Sequence, residues 1–316
     1  MRRVDADASI HSSGENLRHI RRRREDWIAE TFGPLQKGGI PLYEREHDMM
    51  RISRIVVAAV LPLLIQSSSL AEEAASAVRI RVLSYNIHHG EGVDGKLDLK
   101  RIAGVIDSVA PDVVSLQEVD RKTERTGGVD QAEELGRLTK MKAVFGASMP
   151  YRGGEYGNAV LTKLPIVDSR CIPLPGEPRS ALCVSLELPS SGAPRPVFSF
   201  IATHLDTSQT PRLESPPLIE HRLAGFLKGP AILAGDLNAV PDSPTMRAFA
   251  KTWRNATGAE ALLTFPVDEP TRQIDYLLYR PADRWKVIEV RVLKEPIASD
   301  HRPLFGVLEL VAEGTE

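Results

Sequence analysis

The chain has 316 residues, 42% apolar and 26% charged, and its 23 glycines and 23 prolines follow no repeat period; this excludes collagen-like, low-complexity and solenoid architectures as well as a disordered chain. A formal charge of −2 excludes a molecule basic over its whole surface, the kind that grips nucleic acid everywhere. Length alone leaves room for one large domain or two modest ones.

From Met50 the sequence reads MRISRIVVAAVLPLLIQSSSLAEEA. Arg51 and Arg54 open it, apolar or proline positions fill Ile55 to Ile65, and small residues lead to Ser69, Leu70 and Ala71. That is the three-part layout of a secretory signal peptide over 50–71, cut after Ala71, and its apolar span is well short of the roughly 20 residues a membrane-crossing helix needs. Residues 1–49 in front of it, with Arg21 to Arg24, are expected to be a gene-model extension or a disordered leader. The expectation is an exported protein, periplasmic or extracellular, without stable membrane insertion. From residue 72 onward 29 basic residues face 33 acidic ones, a net charge of −4.

Beyond Ala77 short strands dominate. Val78 to Ile87 alternates as a strand does; Leu99 to Val109 has helical spacing behind Asp98 as N-cap. Asp112 to Val119 is a strand and Gln131 to Leu138 a helix. Strands follow at Ala159 to Leu161, Ile166 to Pro173, Ala181 to Leu188 and Pro196 to His204. Arg212 to Leu227 has helical character with Pro216 and Pro217 spoiling its start. Further strands are Ala231 to Ala234, Ile274 to Tyr279, Val287 to Leu293 and Leu304 to Leu310. Cys171 and Cys183 lie on two runs joined by Pro175-Gly176-Glu177-Pro178, so a hairpin would allow either a disulfide in an oxidising compartment or two free thiols. Many neighbours are joined by hairpin-length turns, which indicates a mixed α/β arrangement, and no composition break divides 78–310. One domain, acting as a monomer, is expected.

Polar groups recur where these strands end. Asn86, His88 and His89 close the first; Gln117 and Glu118 close the second; His204 and Asp206 close another. Asp236 and Asn238 follow Ala231 to Ala234, Asp275 opens a strand, and Asp300-His301 precede the last one. Each alone reads as turn chemistry. Together they form a set of carboxylates and imidazoles at rigidly held positions, and hard oxygen ligands of this kind suit Mg²⁺, Mn²⁺ or Ca²⁺.

The segments SYNIHHG (84–90), SLQEVD (115–120), GNAVLTKLPI (157–166), THLD (203–206), GDLNAVPDSP (235–244), IDYLL (274–278) and SDHRPL (299–304) resemble, in order, those of the endonuclease/exonuclease/phosphatase superfamily. The resemblance covers essentially all of 78–310. It implies a four-layered α/β sandwich, two mixed sheets face to face with helices outside, and hydrolysis of a phosphate ester by in-line attack of water with a divalent cation. Glu118 resembles the principal metal ligand, helped by Asn86 and Asp300. Asp236 and Asn238 match the pair that positions water and a phosphate oxygen, His301 matches the catalytic imidazole, and Asp275 the carboxylate that orients it. His204 matches a second histidine acting as acid to the leaving group. Tyr156 sits one residue away from where some relatives place a substrate-facing tyrosine, Arg179 is a candidate phosphate contact, and His88 stands where apurinic endonucleases carry an acid. The substrate implied is a phosphate ester: a small molecule, a lipid headgroup or a nucleic acid. The −4 charge argues against tracking a long phosphate backbone. A binding-only relative would lack the metal acid or the catalytic histidine, and this chain has both; a serine hydrolase would need a Gly-x-Ser-x-Gly elbow, which is missing.

Overall fold

In the computed structural model the described residues are 78–188 and 195–311, so the expected leader (1–49) and signal peptide (50–71) lie outside them. In chain order the elements are β1 (Val78–Asn86), α1 (Leu99–Ser108), β2 (Val113–Arg121), α2 (Gln131–Thr139), β3 (Lys142–Tyr151), β4 (Gly154–Thr162), β5 (Ile166–Leu174), β6 (Arg179–Glu187), β7 (Val197–His204), α3 (Gln209–Arg222), β8 (Ala231–Asp236), α4 (Pro244–Phe249), β9 (Arg254–Asn255), β10 (Asp275–Arg280), β11 (Trp285–Val292) and β12 (Leu304–Leu310).

The strands form two six-stranded sheets, in the orders β11-β12-β1-β2-β4-β3 and β5-β6-β7-β8-β10-β9. Each sheet is antiparallel except for one central parallel pair, β1 with β2 and β7 with β8. Period-two alternation sends one set of side chains between the sheets. Ile80 and Val82, Val113, Phe198, Phe200 and Ala202, Ile232 and Ala234, and Leu277 share one buried cluster. The intervening residues face outward. Leu83, Tyr85 and Val114 pack against Ile102 and Ile106 of α1 and Leu135 of α2; Leu233 and Tyr276 pack against Ile219 of α3 and Phe249 of α4. The result is the four-layered α/β sandwich, with central strands buried on both faces and read as apolar runs. Each large side chain buried in the middle layer contributes roughly 1.5–3 kcal/mol of transfer free energy.

Asp98 caps α1 as expected, accepting a hydrogen bond from the Arg101 backbone N–H at 3.0 Å. Helix α3 departs from expectation. It starts earlier, at Gln209, and runs through Pro216 and Pro217; burial of Pro216 in the outer layer offsets the backbone hydrogen bonds that the two prolines remove. The hairpin between β5 and β6 is present, but no disulfide joins it. Cys171 pairs in register with Leu182, and Cys183 with Arg170. A one-residue offset puts the two thiols on opposite faces of the sheet, which rules out a bond. Among the described residues no helix is long and apolar enough to cross a membrane.

Gly235 shows how closely the parallel pair β7 and β8 is packed. A Cβ at this position would overlap the carbonyl oxygen of Thr203 on β7, and backbone cannot move aside as a side chain can. Gly235→Ala is expected to destabilise the fold by about 3 kcal/mol or more, lowering Tm by about 6–12 °C for a domain of this size. Denaturant titration of the variant beside the wild type measures it.

Candidate active site

The inter-sheet rows that are apolar in the middle of the sandwich turn polar on their last rung. Along β1 the row runs Ile80, Val82, Ser84, Asn86; along β7 it ends in His204, along β8 in Asp236, and β10 opens on Asp275. Register brings the ends level, with Asn86 paired to Gln117, His204 to Asp236, and Asp275 to Asp236. The polar groups therefore gather at one rim of the cleft between the sheets, each fixed by a buried strand behind it.

Asp236 is the hub. Its Oδ2 accepts from Asn86 Nδ2 at 3.2 Å and stands 3.4 Å from His204 Nε2 and 3.6 Å from His301 Nε2. Its Oδ1 accepts from the Asn238 backbone N–H at 2.9 Å. On the other side of the imidazole, His301 Nδ1 is 2.9 Å from Asp275 Oδ2. Two carboxylates that pair directly across antiparallel strands would repel, and the His301 ring between them converts that repulsion into attraction. Burial opposes a charge on His301, but Asp275, then Asp236 and Asp300, outweigh it and raise the ring to about 10. Burial lifts Asp236 above the usual carboxylate range, against the pull of His301 and with the push of Asp275.

His204 is the electrostatic opposite. Burial, then Arg179 and His301, hold it well below its ordinary value, so the ring is neutral. Arg179 Nη1 lies 3.4 Å from its Nδ1, and its Nε2 faces Asp236 Oδ2. Asn238 braces the same ring, with Nδ2 at 3.1 Å from Nε2 and donating to Leu205 O at 3.0 Å.

Glu118 sits where the pairing of β2 with β4 slips between Leu116 and Val119, and its φ is +59°. The bulge turns its side chain out of the alternation and toward Asn86, whose Nδ2 donates to Oε1 at 3.1 Å. Backbone in the left-handed region is strained for a non-glycine residue, and His88, His89 and Asn238 share that conformation here. His88, His89 and Glu118 offer ligand atoms within 4.8 Å of one another, as do Asp236, Asp275 and His301. The second group is tied together by the His301–Asp275 hydrogen bond and the His301–Asp236 ion pair. The first, with Asn86 alongside, has the donor chemistry of a divalent-cation site. Asp300 joins neither group; it lies next to His301 and accepts from Ser299 Oγ at 3.3 Å.

Tyr156 and Arg179 also meet at the site, Arg179 Nη1 donating to Tyr156 Oη at 3.1 Å. Three contributors are new. Arg125 stacks on the rings of Tyr151 and Tyr156 and forks onto buried Asp120 at 2.6 and 2.8 Å. Phe265 lies against the His301 ring, centroids 4.8 Å apart. His89, beside His88 in the IHHG segment, belongs to the ligand group; the doubled histidine was its signal. Asp206 has a scaffold role, accepting from the Glu177 and Ser208 backbone N–H groups, so that it ties the turn before Arg179 to the end of β7.

A pH dependence follows from His301. Its value in the fold lies above the unfolded one, so its stabilising contribution is complete below about pH 6.5 and is lost as pH rises through about 10. In chelator, wild-type stability is expected to fall by at least about 1 kcal/mol between pH 7 and 10, and His301→Gln should flatten that slope in denaturant titrations.

Comparison with known proteins agrees with this geometry. The YbhP protein of Escherichia coli K12 is 25% identical over 247 residues, covering 73% of this chain and 96% of that protein. Among solved structures, an endonuclease/exonuclease/phosphatase from Beutenbergia cavernae is similar with a TM-score of 0.60 and 26% identity, covering 76% of this chain and 73% of that one. The mannosyl-6-phosphatase of Bacteroides thetaiotaomicron shares the fold with a TM-score of 0.58 and 19% identity, covering 74% of this chain and 100% of that one. The family model described as Endonuclease/Exonuclease/phosphatase matches residues 83–301, from the first site-bearing strand to the histidine of the His301–Asp275 pair, and the chain belongs to that family.

Proposed function

We propose that the protein is an exported, divalent-cation-dependent phosphoric ester hydrolase that acts on phosphodiesters. The observation that carries this reading is a line of Asp275, His301 and Asp236, a hydrogen bond followed by a 3.6 Å ion pair, that reaches Glu118 through Asn86. Neighbouring His301 and Asp236 in that line are shifted in complementary ways, a cation held protonated and a carboxylate held basic, which is the arrangement an acid–base pair needs. Export is inferred from the 50–71 segment alone.

Asp236, with Asn238 behind it, holds the attacking water and accepts its proton as the water oxygen bonds to phosphorus. His301, charged and oriented by Asp275, lies against the phosphoryl oxygens and gives its Nε2 proton to the leaving oxygen as the ester bond breaks. His204 keeps Asp236 in place, and Arg179 with Tyr156 binds a non-bridging phosphate oxygen. Glu118 and Asn86, with Asp300 on the far side and His88 at the flank, hold the cation. When bound, Mg²⁺, Mn²⁺ or Ca²⁺ supplies positive charge against the charge that builds on the phosphoryl group.

The test is a panel on the full chain: bis-p-nitrophenyl phosphate, p-nitrophenyl phosphate, single- and double-stranded DNA, RNA, sphingomyelin and inositol phosphates, each with Mg²⁺, Mn²⁺ or Ca²⁺. Cation-dependent turnover of a diester is expected. The similarity to a mannosyl-6-phosphatase makes monoesters the competing arm. No hydrolysis in any arm would leave a phosphate-binding module instead.

A further inference from the structure

We propose that His88, His89 and Glu118 form a site for a borderline transition-metal dication of the Zn²⁺ class, distinct in preference from the hard oxygen-binding ions that the Glu118–Asn86 pair alone would take. The three residues offer ligand atoms within 4.8 Å of one another. Glu91 sets both rings for this task. Its backbone carbonyl accepts from His88 Nδ1 at 3.1 Å, and its carboxylate lies 3.4 Å from His89 Nε2. A carbonyl and a carboxylate only accept, so each imidazole spends its one proton on Glu91 and keeps a bare lone pair, on Nε2 of His88 and Nδ1 of His89.

The lone pair on His89 Nδ1 is the second observation. That atom is buried and has no hydrogen-bond partner, in a residue only 9% exposed. A buried acceptor left open costs free energy unless something fills it, and a metal ion fills an imidazole lone pair. Fixing each ring through its other nitrogen, by a carboxylate or a carbonyl, is how metal-binding histidines are held.

The loop is braced as a ligand platform would be. Gln131 of α2 donates through Nε2 to the His89 carbonyl at 2.6 Å and accepts through Oε1 from the Asp120 backbone N–H at 2.9 Å, which ties the histidine turn to β2 just beyond Glu118. Two imidazoles and one carboxylate, with solvent for the remaining position, match the preference of Zn²⁺ or Co²⁺ over Mg²⁺ or Ca²⁺. Glu118 is shared with the proposed hydrolytic ion position, but the three-residue geometry is independent of the hydrolase reading.

The test is metal binding, with no substrate present. Full-length protein stripped with chelator is titrated with Zn²⁺ and separately with Mg²⁺ by calorimetry, and with Co²⁺ by visible absorption. Zn²⁺ is expected to bind at least about 100-fold more tightly than Mg²⁺. His89→Gln should weaken Zn²⁺ by at least about 100-fold and change the Co²⁺ spectrum, while Glu91→Gln, which keeps both rings, should weaken Zn²⁺ by about 10–100-fold. Zn²⁺ binding no tighter than Mg²⁺, or Zn²⁺ binding unmoved by both variants, overturns the site. Imidazole-dependent Zn²⁺ binding without any phosphoesterase turnover keeps the site and removes the hydrolase; turnover with Mg²⁺ and no such binding does the reverse.

Discussion

His301→Ala is expected to lower kcat/KM on the best diester by about 10³–10⁴-fold, the range seen when the central member of an acid–base constellation is removed. Two losses combine. In the proposed mechanism His301 supplies the proton for the leaving oxygen, while buried His204 is held neutral. Asp236 and Asp275 also meet across their strand pair without the cation that separated them. Substrate affinity should change much less than turnover, because Arg179 and Tyr156 stay in place. Steady-state kinetics with bis-p-nitrophenyl phosphate measures the split between kcat and KM, and a variant that kept full turnover would remove His301 from the chemistry. His301→Gln separates the two losses: it keeps a polar side chain between the carboxylates and still cannot donate a proton as an imidazolium does.

Glu118→Gln carries the second large effect. The substitution keeps size and the bulged backbone but removes the negative charge that the cation needs. At saturating Mg²⁺ the wild type is expected to gain about 2.7 kcal/mol when the ion is present at 100 times its Kd, which corresponds to a rise in Tm of about 5–10 °C for a domain of this size. The variant should show little of that rise at the same concentration and should lose activity by about 10³-fold or more. Thermal unfolding with and without the ion reads the first effect, and kinetics the second. A variant that responded to Mg²⁺ like the wild type would move the cation away from Glu118.

The strands that carry the site were legible because burial on both faces writes them as apolar runs, and the polar residue that ends each run is conspicuous. Asn86, Asp236, Asp275 and His301 were found that way, and the structure brings them within hydrogen-bonding reach of one another. Strand β3 was not legible. Lys142 to Tyr151 lies at a sheet edge and is mostly half-buried or exposed, so it has no apolar run, and its turn to β4 uses Arg152 and Gly153 at φ +42° and +79° in place of the usual asparagine-glycine pair. Helix α4 was missed because it is a single short turn and a half, although Ser243 before Pro244 is a start signal and caps the Met246 N–H at 3.2 Å. The thiol pairing was decided by a one-residue register, a quantity that spacing along the chain does not contain.

The chain builds β1 to β4 into one sheet, β5 to β10 into the other, and then returns, so that β12 pairs with β1 and Val78 lies opposite Leu310. First and last strands of the described residues are therefore neighbours inside one sheet, a contact of very long sequence separation and slow to form. His301 arrives with that final strand. A chain still emerging from the ribosome, or cut short before residue 300, holds Glu118 and Asp236 without the His301 imidazole, so the proposed hydrolytic competence would come last and all at once. Under the export proposed from residues 50–71, such an order of assembly would keep the chain chemically silent until it has reached the far side of the membrane.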